Sequence, residues 1–211
     1  MKPRALLLCI LMILVMTAIT AYYYPALPES LPIHWNAAGE VDGYGARWHL
    51  WLLGPVCMSA LLLLAIALPW LSPKQFDVQA SGATYGYLMA LPIALMAIIE
   101  LLVLGAALGV RIEMAHVVPA LIFMMLILMG NPMGKVRRNF FLGIRTPWTL
   151  ASESVWHATH RLAGKLMVGT GVLGLCAVWL AAPPWLLLAL MLAWAPLASG
   201  YSLLRYKRLP Q

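Results

Sequence analysis

Glu153, His157 and His160 are separated by four and three residues, so on a helix all three project from one face. Two imidazoles and a carboxylate in that arrangement suit a metal ion or a proton relay. The alternatives are a solvated or head-group face and contact with a partner, since such residues are ordinary on polar faces and no second ligand cluster accompanies them. His34, Glu40 and Asp42 form another group of candidate cation ligands, within PALPESLPIHWNAAGEVDGYGAR at residues 25–47. Against that stand hydrogen bonds from His34 and Asp42 to loop amides, anchoring of Trp35 at a membrane surface, and contact with an external ligand. Glu100 is the one acidic residue well inside an apolar run. An ionised carboxylate there costs on the order of 3 kcal/mol, so it needs a partner, a water-filled cavity or a proton. It reads either as a proton or cation path, or as a polar contact to a neighbouring helix with His116 or Arg111 as partner. No nucleophile with an adjacent base is visible, so the expected chemistry is binding, not catalysis, with no cofactor.

The elements that must position these residues follow from composition. A chain of 211 residues that is 63% hydrophobic and 10% charged, with mean hydropathy +0.86, is an integral membrane protein. Each helical span needs about 20 apolar residues to cross roughly 30 Å of hydrocarbon. Six runs meet that need, near 5–24, 48–71, 86–109, 115–130, 166–182 and 184–204. The expected fold class is therefore all-α, a bundle of six transmembrane helices plus a short cytoplasmic amphipathic helix. Its parts are 1–71 with the 25–47 loop, 72–130, a polar segment at 131–165, and 166–211.

Positive residues fix the expected orientation. With the amino terminus inside, twelve Lys and Arg fall on the cytoplasmic side and only Arg47 and Arg111 outside, which puts both termini in the cytoplasm. The net charge of +7 thus speaks of topology and anionic lipid, and not of nucleic acid. The first apolar run reads as a span and not as a cleaved signal peptide, because the small-residue cleavage pattern is poor and Tyr22, Tyr23 and Tyr24 follow it as an aromatic belt. Cys9, Cys57 and Cys176 lie within spans at no pairing or metal spacing and read as packing residues. Gly82 with Gly86, Gly105 with Gly109, and Gly164, Gly169, Gly171 and Gly174 offer small-residue spacing for close helix contact.

The segment from Gly130 to Leu166, GNPMGKVRRNFFLGIRTPWTLASESVWHATHRLAGKL, holds six of the fourteen Lys and Arg. Its first half should be irregular and lie at the anionic leaflet, with Lys135, Arg137 and Arg138 among head groups. Thr146-Pro147 marks a helix start, with Glu153 in an early turn and Val155, Trp156, Thr159, Leu162 and Ala163 at helical spacing. That helix would lie in the membrane plane or run straight into the fifth span, and Arg145 and Arg161 could pair with Glu153 or bind phosphate.

Two stretches carry a family resemblance. LPIHWNAAGEVDGYG resembles the HWN and DGYG signature of a bacterial outer-loop domain that commonly accompanies the SdpI family. Asn131, Gly134-Lys135, Asn139, GIRTPWTL at 143–150, Ser152-Glu153, Val155-Trp156 and THRLAGKL at 159–166 resemble that family's cytoplasmic signature. His160 belongs to the family pattern and His157 does not. The resemblance implies a polytopic protein that protects a bacterium against a secreted, membrane-active peptide toxin, and that in one branch recruits a winged-helix transcriptional repressor. It implies partner or signalling roles for Lys135, Arg137, Arg138, Asn139, Arg145, Trp148, Glu153, Trp156, His160 and Arg161. Outer-loop contact would fall to His34, Trp35, Asn36, Asp42 and Tyr44. Membrane lipids and a second copy of the chain complete the expected partners, and a small proton-coupled transporter or flippase using Glu100 is the alternative function.

Overall fold

The computed structural model describes residues 1–209. Among the described residues six helices are long and apolar enough to cross a membrane, and the protein is an all-α polytopic membrane protein. Helix α1 (Pro3–Tyr23) starts with Pro at its first turn, where the missing N–H is no loss. Two strands follow, β1 (Ser30–Trp35) and β2 (Val41–Ala46), paired antiparallel. The second span, His49–Leu71, is not uniform: a short α2 (His49–Trp51) passes through a π-turn at Leu52–Val56 into α3 (Cys57–Leu71). Pro55 inside the turn cannot donate a backbone hydrogen bond, which is the local cause of the irregularity. Next come α4 (Ala83–Ala107) and α5 (Met114–Met133). The short α6 (Pro147–Ala151) precedes α7 (Glu153–Trp179) and α8 (Pro184–Lys207).

The chain divides into two compact units. The first comprises Met1–Ala65 and Gly86–Val118. One of its apolar clusters joins Cys9, Met16, Met58, Leu62 and Ile93, and another joins Leu27, Leu31, Leu50, Val103 and Leu104. Trp35 packs against the second, so its ring serves the interior of the unit as well as any interface.

The second unit comprises Ile66–Tyr85 and Pro119–Gln211. Here α5 and α7 meet backbone to backbone. A methyl on Gly164 would lie 2.6 Å from the Gly130 carbonyl oxygen, one on Gly171 2.6 Å from Ile127 Cγ1, and one on Gly174 would strike the Phe123 ring. Gly169, Gly82 and Gly109 have nothing within 4 Å of such a methyl, so close packing explains only part of the glycine spacing. Gly109 instead closes α4 with a left-handed φ of +83°.

Two expectations are refined by the structure. Of the two courses open to the polar stretch, the structure takes the second: its helix starts at Glu153 and runs unbroken to Trp179, straight into the fifth apolar run. The break falls earlier, at Ser152, whose extended backbone ends α6 and whose hydroxyl caps α7. Cys176 is exposed and therefore not a packing residue within the chain, unlike buried Cys9.

Candidate functional site

The signature loop between α5 and α7 is built around side chains that look inward. The Trp156 indole N–H donates to the Val136 carbonyl at 2.8 Å, and its ring stacks on His160 with centroids 4.0 Å apart. His160 takes the Ile144 amide on Nε2 at 3.0 Å, while Nδ1 faces the Trp156 carbonyl at 2.8 Å. Those partners select the neutral ring with its proton on Nδ1. Gly143 sits over this ring at φ +100°, and any side chain there would collide with the imidazole. Asn139 satisfies itself completely. Its amide donates to the carbonyls of Arg137 and Leu142, and its oxygen accepts from the amides of Phe141 and Leu142.

The next turn is fastened in the same manner. Thr146 and Thr149 form a reciprocal cap at the start of α6, and the Thr149 hydroxyl also reaches the Ile144 carbonyl at 2.8 Å. Thr146 Oγ1 lies 3.1 Å from Ser202 Oγ on α8, and Ser202 donates to the Ser199 carbonyl. Asn139, Thr149, Trp156, Thr159 and His160 are all buried. What the loop shows outside is charge. Lys135, Arg137, Arg145, Arg161 and Lys165 are exposed, and Trp148 is half-buried. Arg138 is drawn inward, donating to the Leu150 carbonyl and lying over the Phe76 ring. Arg145 donates to the Phe140 carbonyl at 2.9 Å and is not paired with Glu153.

The helical face of Glu153, His157 and His160 is thereby divided. Glu153 and His157 lie 3.5 Å apart at the surface, whereas His160 is committed to the loop interior. Among the described residues no three His, Cys, Asp or Glu side chains come together in a way that could hold a metal ion, here or in the β1–β2 hairpin. In that hairpin His34 Nδ1 and Asp42 Oδ1 lie 2.5 Å apart, with the His34 side chain 71% exposed. They bond each other and not loop amides. Asn36 organises the turn by accepting from the amides of Ala38 and Glu40, and its side-chain amide donates to Glu40. Gly43 and Gly45 leave room for His34 and Ile33 on the facing strand, and Tyr44 stays exposed.

Glu100 is fully buried in the first unit. Its partner is neither His116 nor Arg111. The Thr20 hydroxyl of α1 donates to Glu100 Oε1, and His116 lies 3.5 Å from Glu113 instead. The carboxyl occupies the space left by Gly54 in the π-turn, where a methyl would overlap it, and Oε2 has no hydrogen-bond partner.

Residues 135–202 match the SdpI/YfhL protein family, a segment that begins in the signature loop and ends at the Ser202 fastener. The likeness to the SdpI/YfhL family lies in this segment. Residues 11–58 match a domain of unknown function (DUF1648). A relative named Immunity protein SdpI, from Bacillus subtilis (strain 168), is 28% identical over 171 residues, covering 81% of this chain and 79% of its own. No solved structure matches.

The fasteners Asn139, Thr146, Thr149, Trp156, His160 and Ser202 all fall in the segment similar to that family. Thr20 and Gly54 fall in the amino-terminal domain, and Glu100 lies between the two matched segments. The sequence marks Gly54-Pro55 as a breaker pair inside an apolar run, which signals the irregular turn. Nothing in it signals Thr20 or Ser202, whose importance comes from partners far away in the chain.

Proposed function

We propose that the protein is an immunity protein of the SdpI type in a bacterial cytoplasmic membrane, with both termini in the cytoplasm. The observation that carries this reading is similarity to an immunity protein over four-fifths of both chains. The β1–β2 hairpin would meet a secreted, membrane-active peptide through His34, Trp35, Asn36, Asp42 and Tyr44. The rim formed by Lys135, Arg137 and Arg145 would meet a cytoplasmic repressor. The geometry favours this division: buried side chains hold the signature loop's shape, so its cations face outward as a fixed positive surface that an acidic partner could recognise.

The test is survival of a sensitive strain under challenge by secreted antimicrobial peptides. Wild-type protein should protect. A Lys135→Gln, Arg137→Gln, Arg145→Gln variant should keep direct protection and lose partner recruitment, and Tyr44→Ala with Asp42→Asn should lose protection. Indifference of both variants, at wild-type expression, would reject these assignments.

A second reading, proton-coupled transport through Glu100, is favoured by one observation, the fully buried carboxyl with an unpartnered oxygen. Proton flux into vesicles containing the protein should then vanish in Glu100→Gln. Equal flux in wild type and variant would remove this reading.

A further inference from the structure

A groove of about 520 Å³ opens along the seam of α5 and α7. Its floor is nearly bare backbone, because Gly130 and Gly164 bring the two helices into direct contact there. Its rim carries Asn131, Arg161 and Lys165, and Val168 continues the apolar wall. Arg161 and Lys165 are four residues apart and so lie on one helical face.

Neither cation is neutralised. The ion pairs among the described residues are His34–Asp42, His116–Glu113 and His157–Glu153, and none engages a Lys or Arg. The second unit contains ten Lys and Arg against two acidic residues, Asp77 and Glu153. The first has four against five, so the positive charge of the whole chain resides in the unit that holds the groove.

Depth decides the kind of anion. Helix α7 has 27 residues, about 40 Å, which exceeds the roughly 30 Å of hydrocarbon. Trp179, 86% exposed at its far end, marks one interface. Counting back at 1.5 Å per residue, Arg161 lies about 27 Å away, at the opposite head-group layer, and Lys165 about 21 Å away, one turn inside it. Lys165 must therefore extend towards the head groups to keep its ammonium out of hydrocarbon. A phosphate at the rim meets both cations where they have to be, with an apolar furrow running from it into the membrane.

We propose that this groove binds an anionic phospholipid, its phosphate held between Arg161 and Lys165 and an acyl chain lying along Gly164 and Val168. The site does not depend on the immunity reading. The test uses the full chain in detergent, with native mass spectrometry after addition of dioleoyl phosphatidylglycerol or dioleoyl phosphatidylcholine. One phosphatidylglycerol should be retained per chain with a preference of roughly tenfold or more, and inorganic phosphate should fail to displace it. Arg161→Gln with Lys165→Gln should abolish the preference. Val168→Trp, which fills the furrow and keeps both charges, should weaken retention, and Lys207→Gln with Arg208→Gln, which removes the same charge elsewhere, should not. Thermal melting establishes that each variant is folded, and Val168→Trp decides the matter if the double variant is not. Equal retention of the two lipids, full retention by Val168→Trp, equal loss in the Lys207 and Arg208 variant, or displacement by phosphate would overturn the site.

Discussion

Trp156 and His160 stand one helical turn apart with their rings stacked at 20° between planes, and each holds a different stretch of the same loop. The indole secures Val136 at the loop's beginning, and the imidazole secures Ile144 near its end. One pair on a rigid helix thus clamps a long irregular segment at two points, with Arg137 exposed between them.

Removing either clamp should loosen the loop before it unfolds the protein. Trp156→Phe keeps the stack but leaves the buried Val136 carbonyl unpaired, at a cost of about 1–3 kcal/mol. Trypsin should cut at Arg137, Arg138 or Arg145 faster in this variant and in His160→Phe than in wild type. Unchanged cleavage rates in both would mean the loop is held by other contacts.

Glycine substitutions should sort by what surrounds them. Gly143→Ala places a methyl against the His160 ring in a left-handed conformation, and a loss of about 1–3 kcal/mol in detergent is expected. Gly174→Ala should also destabilise, through Phe123. Gly169→Ala meets nothing within 4 Å and should be neutral or slightly stabilising. Thermal melting of the three variants checks the order.

Glu100 and Gly54 should be energetically coupled. Gly54→Ala alone pushes into a buried carboxyl and should lower stability, and Glu100→Ala should relieve much of that loss by emptying the space. A double-mutant cycle should give a coupling of about 1 kcal/mol or more. Additive effects would show that the carboxyl does not occupy the π-turn.

The hairpin pair should matter little to stability. His34 and Asp42 are solvent-exposed, and exposed pairs contribute about 0–1 kcal/mol. Asp42→Asn should therefore melt within a degree or two of wild type. A large drop would assign the pair a structural role and weaken the ligand-contact proposal.

The apolar runs made the six spans legible, because hydrocarbon thickness imposes a length that composition reveals. They did not reveal where helices begin, since Glu153 to Lys165 is helical yet polar, and hydropathy reads membrane, not backbone. The hairpin was hidden for a related reason: its alternation is broken by Gly43 and Gly45, which read as turn residues and instead leave space for the facing strand. The inward roles of Asn139 and His160 were equally hidden. His157 and His160 look alike by spacing, and only the folded loop commits one to the interior. Thr20 lies 80 residues from the carboxyl it meets, a distance over which local pattern carries no information.

The most direct measurement is the dose of secreted, membrane-active peptide that kills half of a sensitive population, compared between cells carrying this protein and cells carrying an empty vector, with membrane expression verified. An immunity protein raises that dose several-fold, and the Tyr44→Ala, Asp42→Asn variant brings it back to the vector value. Equal doses for wild type and vector across a broad peptide panel would contradict the immunity function.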